Sequence, residues 1–293
     1  MTYQQDGNLT TRIQQIANCF FNFNKDIIDS VKDIAPAVKP QMAFYEMYGW
    51  AGVLAYQKTV EYAKSKEMLV IGDAKRGDIG NTAQAYAKGH LGKVDIGNGE
   101  EAPIFDVDFL TVSPYLGDDT LQPFIDECIK NNKGIFVLAK TSNFGSGYIQ
   151  DKVDQEGKTI YETVAEYVAQ QAERLKIKTG YSPIGAVVGA TYPEQALKLR
   201  NIMPNNIILV PGYGAQGATA KDVTNSFDKD GLGAIVNSSR GIIYAHKKRY
   251  PNGDCTREQY KEEVRKATED MKKDITQALE KEDKGYNKLD RDR

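Results

Sequence analysis

Two acids, Asp73 and Asp78, bracket two basic residues in the stretch VIGDAKRGDIGNTAQAYA (70–87). The apolar run MLVIG before them is typical of a buried strand, on which residues two positions apart point the same way. Asp73 and Lys75 therefore share a face, and Lys39 also ends an apolar run. Such charges are costly to desolvate unless they are paired, and charge networks in clefts are candidates for catalysis. Taken alone, an Asp-X-Lys pair is more often a salt bridge that closes a strand end.

Short apolar runs alternate with helical patterns along most of the chain. This alternation predicts a parallel sheet whose strands are covered by helices. The predicted strands lie at 36–42, 68–75, 109–114, 134–142, 184–191, 206–212 and 233–240, and helical patterns lie at 10–35, 52–66, 120–132 and 160–176.

Polar residues stand at the carboxyl ends of most predicted strands. They are Lys39, Asp73 with Lys75, Ser113, Thr141 with Ser142, and Ser238 with Arg240. In a (β/α)₈ barrel these ends and the loops that follow them form the active face. A doubly wound sheet alternates in the same way but does not usually spread polar residues over nearly every strand end. The pattern favours a barrel, although only seven strands are found.

The composition fits one ordinary globular domain. The 293 residues carry a formal net charge of -2, which gives no general attraction to nucleic acid or to an anionic membrane. The three cysteines are far apart, which disfavours disulfides and zinc and is typical of a cytoplasmic protein. We expect a single barrel domain at 1–281, with a loop or small hairpin at 91–108, and a charged tail at 282–293.

Seven motifs, in this order, resemble the orotidine 5'-phosphate decarboxylase family, and in particular its bacterial branch with the signature DAKRGDIG. The resemblance extends from about Phe21 to about Ala278. The motifs are VKPQMAFYEMYG (38–49), DAKRGDIGNTAQAYA (73–87), TVSPYLG (111–117), LAKTSN (138–143), VVGATYPE (187–194), PGYGAQG (211–217) and NSSRGIIYA (237–245).

The resemblance implies a homodimeric (β/α)₈ TIM barrel of the ribulose-phosphate-binding type, with neither a metal nor an organic cofactor. The implied reaction converts orotidine 5'-monophosphate to UMP and carbon dioxide. Lys39, Asp73, Lys75 and Asp78 match the family's charged tetrad. The resemblance further implies that Asp78 completes the site of the neighbouring subunit.

The same resemblance implies a set of substrate contacts. Ile79 and Thr82 would cross to the neighbouring site with Asp78, Thr82 toward a ribose hydroxyl, while Gln216 and Arg240 would hold the phosphate. Either Ser142 or the adjacent Thr141 would contact the pyrimidine, with a slight preference for Ser142. The cationic fork of an arginine and the backbone N–H groups of a glycine-rich loop both suit a phosphate.

One family feature is absent. The GLDP motif of the first barrel strand does not occur, so the first strand is expected to be missing or replaced. This leaves two alternatives: an impaired or non-catalytic nucleotide-binding barrel, and another sugar-phosphate lyase of the same superfamily. A metal-dependent lyase expects an acidic ligand where Lys39 stands, which argues against the second.

Overall fold

A computed structural model describes residues 7–175 and 177–285. Most of the strands in this part of the chain belong to one parallel sheet in the order β1-β2-β5-β6-β7-β8-β9, and β3 and β4 form a separate antiparallel hairpin. The strands are β1 (Ala37–Val38), β2 (Leu69–Arg76), β3 (Val94–Gly97), β4 (Glu100–Ala102), β5 (Phe109–Val112), β6 (Gly134–Lys140), β7 (Ser182–Val188), β8 (Asn206–Val210) and β9 (Ala234–Val236).

Helices connect the successive strands of the sheet, as the alternating pattern predicts, and further helices precede the first strand and follow the last. They are α1 (Gly7–Val31), α2 (Ala43–Glu46), α3 (Gly49–Lys64), α4 (Gly80–Leu91), α5 (Gln122–Asn131), α6 (Gly147–Gln150), α7 (Ile160–Arg174), α8 (Pro193–Ile202), α9 (Ala220–Thr224), α10 (Arg240–Ile243) and α11 (Arg257–Lys281). Three of them begin with a capping box, in which a threonine and a side chain three residues later satisfy the first N–H groups. The boxes open α7, α9 and α11.

Two apolar layers hold the sheet. The larger lies between the strands and the surrounding helices. A smaller one fills the inside of the curled sheet and consists of Ile71, Phe136, Val187 and Leu209. The ring of Phe109 stacks on that of Phe136 at 5.0 Å and extends this inner layer. The inner layer makes the sheet a packed scaffold whose strand ends can hold side chains in fixed places.

The sheet is open on one side. Within residues 7–175 and 177–285 no strand pairs with the outer edge of β1 or with that of β9. Instead, α1 packs against both α3 and α11. Two ion pairs join this region to α11: Asp26 of α1 with Arg257 at 2.6 Å, and Asp33, just after α1, with Arg265 at 2.8 Å. We call the opening between β1 and β9 the seam; it agrees with the count of seven strands.

The peripheral segments also follow the sequence pattern. The β3–β4 hairpin occupies the region 91–108, which was predicted to be a loop or hairpin. The predicted tail at 282–293 lies largely outside the described residues, as do residues 1–6. Among the described helices, none combines the length and the apolar character that a membrane span requires.

Candidate functional site

The carboxylate of Asp73 lies between two ammonium groups at the carboxyl end of β2. Lys39 follows β1, and its Nζ is 2.5 Å from Asp73 Oδ2. Lys75 Nζ contacts the other carboxylate oxygen, Oδ1. Gln41 Nε2 also donates to Oδ2, at 3.1 Å. We call Lys39, Asp73 and Lys75 the charged cluster.

The electrostatics of the cluster keep its acid ionised. Burial by itself raises the pKa of Asp73, but the charge and hydrogen bond of Lys39 and those of Lys75 outweigh it. The pKa of Asp73 therefore lies below its ordinary value. The Lys75 side chain remains 45% exposed, so its ammonium faces both the carboxylate and the open end of the barrel. With two cations and one anion, the cluster has an excess positive charge.

Asp78 stands apart from the cluster in the described chain. It lies in the turn after β2, where its Oδ1 accepts a hydrogen bond from the Ile79 N–H at 2.8 Å. No salt bridge among residues 7–175 and 177–285 includes Asp78. The neighbouring Ile79 is 62% exposed, and Thr82 is exposed on the first turn of α4. A single chain thus brings together three members of the predicted tetrad and leaves the fourth, the half-buried Asp78, outside the cluster.

A second polar region follows β8 and β9. The loop 211–217 contains three glycines with positive φ: Gly212 (113°), Gly214 (72°) and Gly217 (97°). Arg240 begins α10, and its Nη2 donates to the carbonyl oxygen of Ala215 in this loop at 3.3 Å. The predicted phosphate-binding elements are therefore neighbours.

Ser142 and Gln216 converge on Gly212. A Cβ at Gly212 would lie 3.5 Å from Ser142 Cβ and 3.3 Å from Gln216 Oε1. The hydroxyl of Thr141 is engaged internally, because it lies 2.7 Å from Asn143 Oδ1 and 2.8 Å from Gln150 Nε2. Among the described residues, no hydrogen bond involves the hydroxyl of Ser142. Of the two alternatives, Ser142 has the side chain that is available to a ligand.

The sequence pattern missed two neighbours of Asp73. Gln41 lies two positions beyond Lys39 and could have been found by the period of two along a strand. Thr111 Oγ1 lies 3.0 Å from Asp73 Oδ1, whereas Ser113, the polar residue predicted at this strand end, accepts only a long 3.5 Å contact from the Tyr115 N–H. Ser113 does follow the end of β5 (Phe109–Val112) directly, as expected, but the hydroxyl that contacts Asp73 belongs to Thr111, two residues earlier within the strand.

A groove of about 590 Å³ lies beside the 211–217 loop, between α10 and α11. Its lining includes Tyr213, Ser238 and Asp274, but none of the charged cluster. The groove therefore lies beside the predicted phosphate-binding loop, which contributes Gly214 and Gly217 to its lining, and away from the charged cluster. No group of three or more His, Cys, Asp and Glu side chains within the described residues is arranged to hold a metal ion.

A curled parallel sheet with polar side chains at its carboxyl ends defines an α/β barrel that binds its ligand on that face. Residues 21–250 match the orotidine 5'-phosphate decarboxylase / HUMPS family. The chain is 46% identical to the orotidine 5'-phosphate decarboxylase of Rhodopirellula baltica, over 92% of this chain and 88% of that protein. The corresponding protein of Petrotoga mobilis is 45% identical, with the same coverage of 92% and 88%.

The solved structure of Leishmania donovani OMP decarboxylase has the same fold. It gives a TM-score of 0.65 at 31% identity, and the match covers 86% of this chain and 88% of that one. The chain belongs to the orotidine 5'-phosphate decarboxylase / HUMPS family. The predicted family and barrel fold are confirmed.

Proposed function

We propose that the protein decarboxylates orotidine 5'-monophosphate to UMP and carbon dioxide without a metal or an organic cofactor, as a step of de novo pyrimidine synthesis. The observation that carries this proposal is the charged cluster, in which the buried Asp73 carboxylate is held between the ammonium groups of Lys39 and Lys75. The family's name and the named activity of the relatives support the same assignment.

The residue types suit the chemistry. When the bond between C6 of the pyrimidine and its carboxylate breaks, the electron pair stays on C6, where the ring delocalises it poorly. Fixed charges must then stabilise the carbanion. Lys75 is assigned both that role and the protonation of C6, since its ammonium is the group on the open side of the cluster. Asp73 would face the departing carboxylate, and the repulsion between these two anions would be relieved as carbon dioxide leaves.

The remaining contacts are assigned to the phosphate and to the pyrimidine ring. Arg240 and the N–H groups of the 211–217 loop would bind the phosphate, with Gln216 beside them. Ser142 is assigned to the pyrimidine because its hydroxyl is uncommitted, whereas that of Thr141 is held by Gln150. Binding energy from the phosphate can contribute to catalysis if the loop closes over it.

The site is proposed to be shared between two copies of the chain. The charged cluster has an excess positive charge, and a second carboxylate would neutralise it. Asp78 is a partly exposed acid beside the exposed Ile79, and both stand on the barrel face that carries Lys75. In a symmetric dimer, Asp78 of each chain would pair with Lys75 of the other, and Ile79 and Thr82 would cross with it.

The assignment is tested by following the loss of orotidine 5'-monophosphate absorbance over a range of protein concentrations. We expect turnover per subunit to rise as dimers form. A folded protein that shows no turnover at any concentration would contradict the proposed activity. Equilibrium dialysis with UMP then tests whether such a protein is a nucleotide-binding barrel without catalytic activity.

One observation favours a non-catalytic nucleotide-binding barrel as the second candidate: the seam, where the sheet lacks a pairing partner for β1 and β9. Tight UMP binding without turnover would support it. A metal-dependent sugar-phosphate lyase is less favoured, because Lys39 occupies the Asp73 oxygen that a cation would need.

We place the protein in the cytoplasm, in agreement with the free Cys19, Cys128 and Cys255, and treat residues 1–281 as one domain.

A further inference from the structure

The pairing between β2 and β5 slips where the charged cluster begins. Gly72 pairs with Leu110, but the next pair joins Arg76 to Val112, so four steps along β2 match only two along β5. Such a bulge leaves backbone groups without their regular partners. Lys75 lies within it and has a φ of +50°, a left-handed conformation that is uncommon for residues other than glycine.

The hydroxyl of Thr111 occupies the place that the bulge leaves unpaired. Thr111 stands on β5, opposite the slipped segment, and only 1% of its surface is exposed. Its Oγ1 accepts a hydrogen bond from the Lys75 N–H at 2.9 Å. The same oxygen lies 3.0 Å from Asp73 Oδ1, to which it can donate its proton. The Gly72 carbonyl is a poorer acceptor at 3.5 Å, so the hydroxyl donates its hydrogen bond to the ionised carboxylate.

One hydroxyl therefore contacts both halves of the ion pair. Its accepting side holds the backbone of Lys75, and its donating side holds the carboxylate oxygen that Lys75 Nζ also contacts. The β-branched side chain of threonine has restricted χ1 rotamers, so the hydroxyl direction is fixed by the strand. A valine at this position would keep the shape but would offer neither an acceptor nor a donor.

We propose that Thr111 is a positioning residue that locks the bulged backbone of Lys75 and the carboxylate of Asp73 in one arrangement. This inference rests on the proposed decarboxylase function. Without the hydroxyl, the Lys75 N–H loses its partner, the left-handed backbone relaxes, and the ammonium moves relative to the carboxylate. Thr111 itself would not touch the substrate. The chemical step should suffer from its loss and substrate binding should not, because the phosphate is held at the opposite end of the site.

The test compares Thr111→Val, which removes the hydroxyl, with Thr111→Ser, which retains it. Thr268→Val is the matched control, because Thr268 is also buried and its hydroxyl donates only to the Val264 carbonyl within α11, at 2.9 Å. We expect kcat of Thr111→Val to fall about 10- to 100-fold with KM changed less than about threefold. Thr111→Ser should recover most of kcat, and Thr268→Val should match the wild type.

A second measurement does not depend on activity. Amide hydrogen exchange at Lys75 should be at least about tenfold faster in Thr111→Val than in the wild type, Thr111→Ser or Thr268→Val. If Thr111→Val does not fold, Thr111→Ala replaces it, since alanine also lacks the hydroxyl and adds no volume. A wild type without turnover would defeat the proposed function, while the exchange rates would still decide whether the hydroxyl holds Lys75.

Any of three results would overturn the inference. The first is unchanged exchange at Lys75 on loss of the hydroxyl. The second is an equal loss of kcat in Thr111→Val and Thr111→Ser, and the third is a loss confined to KM.

Discussion

Lys39 reaches from the first strand of the sheet to the carboxylate of Asp73 on the second, with 2.5 Å between Nζ and Oδ2. Lys39 directly follows β1, a two-residue strand that lies at the edge of the sheet and pairs with β2. This contact therefore does two things at once: it lowers the pKa of the acid, and it ties the edge strand to the rest of the sheet. The chemistry of the cluster and the stability of its scaffold can therefore be separated by substitution.

Lys75→Ala should abolish measurable decarboxylation while leaving the fold intact. Lys75 is the proposed proton donor, and its half-exposed side chain contributes little to the core. Turnover and far-UV circular dichroism check both parts. Lys58→Ala, on the exposed side of α3, is the control and should turn over like the wild type. Near-normal activity of Lys75→Ala would rule out the proposed mechanism.

Mixing inactive Lys75→Ala subunits with inactive Asp78→Ala subunits should restore activity. A hybrid dimer has one site with both residues intact, so equal mixing should recover about a quarter of the wild-type activity. The control mixture is Lys75→Ala with Lys39→Ala, which yields no intact site because both residues come from one chain. Absence of recovery in dimers verified as hybrids would speak against a shared site.

Arg240→Ala should lower kcat/KM for orotidine 5'-monophosphate by about 100-fold, the effect of losing two charge-assisted hydrogen bonds to a phosphate. The rate with orotidine, which has no phosphate, should hardly change. Steady-state kinetics with both substrates check this, with Arg174→Ala on the exposed end of α7 as the control. An equal loss with both substrates would mean that Arg240 acts on something other than the phosphate.

The protein should lose stability in mild acid through His90. This imidazole is buried against the ring of Phe105, and burial first, with the charge of Arg76 second, lowers its pKa to about 3. Unfolded histidine titrates near 6.5, so below that pH the unfolded state binds a proton that the folded state does not. The free energy of unfolding should therefore fall by about 2 kcal/mol between pH 7.5 and pH 5.

Urea unfolding at the two pH values measures this loss. His90→Phe should remove most of the pH dependence, and His246→Phe should keep it. The lowered pKa values of Asp73 and Asp106 affect stability only at a lower pH. The stabilisation that these carboxylates contribute is present above about pH 4 and is lost as the pH falls further. A His90→Phe variant that remains as acid-sensitive as the wild type would contradict the assignment.

Asp151→Asn should destabilise the protein by about 2 kcal/mol. Lys140 is fully buried, and its Nζ has Asp151 Oδ1 at 2.6 Å and the ring of Tyr192 at 4.5 Å. Removing the carboxylate leaves a buried cation with two aromatic rings, those of Tyr192 and, at 5.7 Å, Tyr161, although the partial exposure of Asp151 moderates the cost. Lys140→Met combined with Asp151→Asn should recover much of the loss in urea unfolding. A double variant less stable than Asp151→Asn would contradict this explanation.

Much of the fold and part of the site follow from simple periodicities. Parallel neighbouring strands that end at one edge bring Lys39 to Asp73. Lys75 meets the same carboxylate, as the period of two predicts, but it does so from a bulge with a left-handed backbone and not from a regular strand. The position of Thr111 could not be predicted, because it depends on a register slip between β2 and β5 that leaves no mark on hydrophobic patterning. The engagement of Thr141 by Gln150 was also hidden, since it depends on how the chain folds back after β6.

The seam changes how the two ends of the proposed site are connected. Lys39 follows one open edge and Arg240 follows the other, and within the described residues no backbone ladder pairs those two edges directly across the seam. Across the seam itself, the two edges are held together by the packing of α1 on α11 and by ion pairs such as Asp26 with Arg257. Packed helices slide by small amounts more readily than paired strands separate. We therefore expect the distance between the charged cluster and Arg240 to respond to small helix movements. Pressure or solvent viscosity could change it without unfolding any helix or strand.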